Sequence, residues 1–267
     1  MTKIFAYVRK SFLTLTSYRF AFVLGIANPV FFLFIIFFVD KLFAHQIVPH
    51  LVPFGVNYFS YLLVSIMASG FLGGSMSATA RQISQDQMMG TLESLLVTPT
   101  SIYTIIVAMV AWNLISAIFN ILIYTIAGIF IFGANFRNIN LLSTTVITIL
   151  SMISFNALGV LSTSFIIAFK RGDPVSYLMN LGMELLGGVF FPVTLLPNWL
   201  QILSYFFPIT YAIRALEQAI YQGASLRILW QDVTVLLIIS AILIPLAYWS
   251  LKTSLNYARK RGTLLQY

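Results

Sequence analysis

FAFVLGIANPVFFLFIIFFV, residues 20–39, carries no charged side chain. Its length matches the ~20 residues that a helix needs to cross a bilayer. Pro29 falls inside the run and is expected to kink or locally unwind such a helix. Comparable apolar runs recur at 58–80, 102–132 and 142–169, then at 175–191 and 230–251. The whole chain of 267 residues is 60% hydrophobic and only 8% charged. A soluble domain is roughly 25% charged because its surface faces water, so the outside of this chain is expected to face hydrocarbon. There, backbone groups are satisfied only within helices or closed barrels. Barrel strands alternate over segments of about ten residues; these runs are long and continuous. The expected fold is an all-α polytopic membrane protein with six transmembrane helices in a single domain, 1–267.

The connections differ in character. Residues 2–18 mix Phe, Leu and Tyr with Lys3, Arg9 and Lys10, which suits a helix lying in the membrane interface. Gly70, Gly73 and Gly74 in the second run allow close helix–helix approach. Residues 81–100 form the one substantial polar interior stretch. The third and fourth runs are long enough to tilt or to project beyond the bilayer. The fifth is short and rich in glycine (Gly182, Gly187, Gly188). It leads into 189–225, apolar but broken by Pro192, Pro197 and Pro208, where a pair of short re-entrant or surface helices is expected. The last run carries Pro245 and is followed by a basic tail, 252–267.

Charge placement orients the chain. With both ends inside, the inner segments hold Lys3, Arg9, Lys10, Arg19, Arg81, Lys170, Arg171, Lys252, Arg259, Lys260 and Arg261. The outer ones hold Lys41, Arg137, Arg214 and Arg227, which accounts for all 15 basic residues. That bias fits the positive-inside rule, and six spans return both ends to one side. The net charge of +8 is distributed over helix ends and forms no nucleic-acid patch. No small-residue cleavage site follows the first run, so a signal peptide is not expected.

Few residues offer chemistry. Cysteine is absent, which excludes disulfides and thiolate sites. His45 and His50 share the first outer loop with only Asp40 near them, too few ligands for zinc. No GxxxxGK[ST] string occurs, so no metal, cofactor or ATP site of its own is expected. Glu184 is the ionisable residue at membrane depth, a functional candidate by default. It reads as a polar contact on a substrate path, as a proton-coupling carboxylate, or as a structural carboxylate tied to a neighbouring helix. In the inner stretch, Gly90 opens and Pro99 closes a short amphipathic turn, with Leu92, Leu95 and Leu96 on one face. Such a turn could dock a soluble partner or simply connect two spans.

Two strings give a resemblance. RQISQDQMMGTLESLLVTPTS, 81–101, and GGVFFPVTLLPNWLQILSYFFPITYAIRAL, 187–216, resemble the membrane subunits of type-2 ABC exporters, in the expected order and topology. The likeness covers nearly the whole chain and leans toward the drug and lipo-oligosaccharide branch. It implies a homodimer or heterodimer of membrane subunits in a bacterial cytoplasmic membrane. It also implies two cytoplasmic ATPase subunits, which would carry the ATP and magnesium. Gly90, Thr91, Leu92, Glu93, Leu96 and Pro99 would form the ATPase-coupling segment. Phe191, Pro192, Pro197, Trp199 and Pro208 would shape outer re-entrant helices closing the exit. The family often has a Gly-Lys pair at the start of the third span; IYTIIVAMVAW, from 102, has neither residue. The main alternative, a secondary carrier or channel, calls for internal repeats or several embedded charges. A membrane enzyme calls for a cluster of His, Asp or Glu near an interface. Neither pattern is visible.

Overall fold

The computed structural model describes residues 2–42, 58–91, 100–134, 136, 138–169 and 173–260. Among these residues every regular element is helical: α1 (Thr2–Ser17), α2 (Arg19–Leu42), α3 (Tyr58–Met88), α4 (Ile102–Phe130), α5 (Leu141–Phe169), α6 (Pro174–Leu186), α7 (Asn198–Ser204), α8 (Pro208–Tyr221) and α9 (Trp230–Lys260), with one 3-10 turn at Val193–Leu195. Five of them, α2, α3, α4, α5 and α9, are long and apolar enough to cross a membrane.

The fifth expected span resolves differently. α6 has 13 residues, about 20 Å at 1.5 Å per residue, and so stops short of a bilayer's ~30 Å core. Its helix ends at Leu186, not Phe191, because Gly188 adopts φ +85°, a left-handed conformation open to glycine at little cost. Two other boundaries move outward. α3 continues through the first eight residues of the polar stretch, to Met88, and α9 continues through the basic tail to Lys260. Neither extension contains a breaker, and each buries a stripe in an inner core: Ile83 from α3, Leu251 and Leu255 from α9. α2 runs as one helix through Pro29, without unwinding.

α3 is the axis of the bundle. Within its most apolar stretch 78% of residues are buried, against 17% in α2 and α9, whose surfaces are left largely uncovered by the rest of the chain. Between helices surrounded by lipid, hydrophobicity gives no net attraction, so close packing and polar contacts hold them together. α3 supplies both. A Cβ on Gly159 of α5 would lie 2.5 Å from the Met76 carbonyl oxygen, so these two backbones touch. Gly73 likewise admits the Asn180 amide of α6, whose Nδ2 donates to Ser77 Oγ at 3.0 Å. Asn113 of α4 donates to Thr79 Oγ1 at 2.9 Å. α5 in turn carries α9 along its length, with a 2.7 Å hydrogen bond between the Ser154 and Ser240 hydroxyls.

The apolar contacts divide into two cores. The larger joins α2, α3, α4, α5, α6, α8 and α9 toward the end that the charge bias makes the outer one, where Phe34, Phe37, Phe59 and Phe132 interlock through edge-on and tilted ring contacts. The smaller lies at the inner end, where Ile83, Ile102, Ile105, Ile106, Met109, Ile167, Leu251 and Leu255 meet Tyr7 of α1.

Candidate functional site

The outer end of α3, YFSYLLVS (58–65), places hydroxyls and a backbone carbonyl against the broken segment that follows α6. Tyr61 donates to the Gly188 carbonyl at 2.7 Å, and Tyr58 to the Phe190 carbonyl at 2.9 Å. Ser65 donates to Glu217 Oε1 of α8 at 2.8 Å, and the Tyr221 hydroxyl donates to the Ser60 carbonyl. These four bonds strap the segment from Gly188 to Tyr221 onto one span. α8 is fixed from its other sides as well. The Arg214 guanidinium grips Asp232 at the start of α9, and Asn140 N donates to the Ala219 carbonyl at 2.9 Å.

The expected outer residues take distinct places in this assembly. Pro192 leads into the 3-10 turn, Pro197 caps α7, and Pro208 opens α8 at a position where a missing N–H costs no helical bond. Pro208 is buried, whereas Phe191 and Trp199 are exposed. Phe207 lies against Gly182, so the α7–α8 corner packs directly on α6.

Sequence reading missed the residues that strap this segment. For Glu217 a signal exists. The apolar period of α8 runs through Ile209, Ile213, Leu216 and Ile220, and Glu217 falls on that same face, where it is buried with them. Tyr58, Tyr61 and Ser65 carry no comparable mark in an apolar helix.

Beneath the strap, a cavity of about 300 Å³ opens between α2, α3, α4 and α6. Asn28, Phe32, Ser69, Tyr124, Glu184 and Phe190 line it. Glu184 is exposed there and has no hydrogen bond or ion pair among the described residues.

At the inner end, Gly90 terminates the α3 extension with φ +67°. Thr91 Oγ1 donates to the Asp86 carbonyl and to Asp86 Oδ1, both at 3.2 Å, and turns the chain back on α3. Leu92, Glu93, Leu96 and Pro99 lie outside the described residues, as do His45 and His50. The chain re-enters at Thr100, whose hydroxyl accepts from Lys3 Nζ of α1 at 3.2 Å. Tyr7 of α1 is pressed into the inner core, and burial, reinforced by the Asp86 charge, raises its phenol pKa. Both ends of the inner segment are thus rooted where α1, α3 and α4 meet.

The sequence profile of the ABC-2 type transporter family matches residues 2–221, from the start of α1 to the end of α8. The chain belongs to that family. This membership makes it a transporter's membrane component, in agreement with the two strings that first suggested it. It is also 29% identical over 195 residues to the probable multidrug ABC transporter permease YbhR of Escherichia coli strain K12, and equally to its counterpart in strain O157:H7. The alignment covers 72% of this chain and 52% of those permeases, so the chain spans about half the length of the curated relatives it matches.

Proposed function

We propose that this chain is the membrane-spanning subunit of an ATP-driven exporter. It pairs with a second membrane subunit and is driven by two cytoplasmic ATPase subunits. Six crossings place both ends in the cytoplasm of a bacterial cell, the α6 crossing being completed by the irregular segment after Leu186. Residues 189–225 form the outer re-entrant pair that closes the exit, and the inner segment from Gly90 to Pro99 couples to the ATPase. The observation that supports this most strongly is the family match together with the construction of α3, which carries the strap at one end and roots the inner segment at the other.

The cargo is amphipathic or lipid-linked, a drug, a glycolipid or polymer, or a peptide, that reaches the pathway sideways between helices. The exposed apolar faces of α2 and α6, beside the cavity, support lateral entry. ATP binding draws the ATPase subunits together and displaces the inner segment. That displacement favours the outward-open state to the extent that the ATPase dimer binds the two states differently.

The test is reconstitution of the chain with its ATPase in liposomes, with ATP turnover and export measured together. The Glu93→Ala/Leu96→Ala variant should insert and bind lipid normally but lose most of its transport per ATP. An unchanged ratio of transport to hydrolysis would refute the coupling role, and the absence of any ATPase in the purified complex would refute the exporter reading.

A further inference from the structure

We infer that the cavity around Glu184 is a selectivity site for a lipophilic cation, with the Glu184 carboxylate pairing the ligand's charge and the surrounding aromatic side chains receiving its apolar body. This deepens the exporter reading above and rests on it for the cation's status as cargo.

Depth comes first. Glu184 stands ten residues from the start of α6, and Asn28 nine residues from the start of α2. At 1.5 Å per residue both lie about 15 Å from the inner helix ends, near the middle of a ~30 Å core. A carboxylate at that depth is costly unless something offsets its charge. No described residue pairs with it. Among the described basic residues, Lys3, Arg9 and Lys10 lie in α1, Arg81 and Lys252 in the polar extensions of α3 and α9, and the rest at helix ends or in a connection, apart from Arg214 in α8, which is held by Asp232. A bound cation would supply the counter-charge that the described residues do not.

The cavity's lining then narrows the class. Asn28 and Ser69 offer hydrogen bonds, while Phe32, Tyr124 and Phe190 offer aromatic surface close to the carboxylate. A cation over an aromatic face is attracted by the ring quadrupole, and more strongly once both are removed from water. An anion would face Glu184 with no cation to receive it. A metal ion would find one carboxylate where a cage needs several oxygen ligands. A diffuse organic cation, such as a quaternary ammonium or phosphonium, satisfies both the charge and the aromatic surface. It also partitions into the lipid from which the cavity is reached.

The experiment uses the full-length chain in nanodiscs of neutral lipid, with no ATPase or nucleotide present. Two nearly isosteric probes are compared by equilibrium dialysis: methyltriphenylphosphonium, which is charged, and triphenylphosphine oxide, which is not. The cation should bind at least tenfold more tightly than the oxide. Glu184→Gln should remove most of that advantage and leave oxide binding unchanged, whereas Glu184→Asp should retain it. The aspartate variant, together with an unchanged elution profile, separates loss of charge from loss of fold. Equal affinity of the wild type for both probes would overturn the assignment, as would cation binding insensitive to Glu184→Gln. Cation binding without ATP-driven export would instead overturn the exporter reading and leave the site standing.

Discussion

Gly159→Ala is the substitution whose cost the structure determines most closely. The new Cβ would sit 2.5 Å from the Met76 carbonyl oxygen and 3.2 Å from the Met76 carbonyl carbon and Cα. A carbon–oxygen contact settles near 3.3 Å or more, so the two helices must part by about 0.8 Å. The obstacle is backbone, which cannot change rotamer to yield. α5 also carries α9 and touches α8, so a retreat from α3 disturbs those contacts too. Overpacking of this kind costs about 1–3 kcal/mol. Replacing a helical glycine returns about 0.5–1 kcal/mol, which leaves a net loss of about 0–2.5 kcal/mol, centred near 1 kcal/mol, by these two estimates. Gly25 on α2 is the control, because a Cβ added there would meet nothing within 4 Å and Gly25→Ala should keep the full helix gain. Thermal melts of the purified chain, followed by loss of the monodisperse peak, should place Gly159→Ala several degrees below wild type and Gly25→Ala at or above it. If Gly159→Ala melts at or above wild type, α3 and α5 do not meet backbone to backbone, and the packing account fails.

The strap and the ion pair make further quantitative claims. Glu217→Ala strips the Ser65 hydroxyl of its acceptor and opens a hole in the outer core, at a cost of about 2–3 kcal/mol. Glu217→Gln keeps an oxygen for Ser65 and should cost under about 1 kcal/mol; comparable losses in the two variants would show that the hydrogen bond is not what holds α8. Arg214→Ala leaves Asp232 buried without its partner. Because Arg214 is part-exposed and solvent screens the pair, the loss should be about 1–2 kcal/mol. Adding Asp232→Asn should recover much of that loss in a double-mutant cycle, and additive losses would count against the pairing.

The sequence announced the helical, lipid-facing character of the chain because bilayer thickness and the cost of unsatisfied backbone leave few alternatives. Residues 20–39 alone carry that reading. Boundaries were legible only where a breaker stood. Asp173–Pro174 fixes the start of α6, with the Asp173 carboxylate accepting from Ser176 N at 2.9 Å. The inner ends of α3 and α9 were misjudged because polarity was taken as the end of a helix. In fact Ile83 and Leu255 continue the apolar stripe past the bilayer into an inner core. The Glu184 site was legible in part. An acid at membrane depth stands out in any sequence, but the cavity beside it comes from α2, α3 and α4, which only tertiary packing brings together. The tyrosine strap was not legible at all, since a tyrosine in an apolar helix is equally at home against lipid.

One helix serves both ends of the proposed mechanism, and its geometry constrains how motion could travel. α3 has 31 residues, about 46 Å at 1.5 Å per residue, and its tightest contact is the backbone touch at Met76. Counting residues from that contact, the inner end at Met88 lies about 18 Å away and the strap at Tyr58 about 27 Å away. A rigid tilt about Met76 therefore magnifies displacement outward by a factor of about 1.5. Under the proposed coupling, about 2 Å of movement at the inner segment becomes about 3 Å at the outer strap by this lever ratio. The strap's four hydrogen bonds then bind the Gly188–Tyr221 segment to follow α3 instead of yielding locally. No chain of intermediate contacts is required, because the helix that receives the push also carries the gate. Gly159 of α5 permits the close contact that makes such a pivot, and the polar extension beyond Ala80 supplies the inner arm.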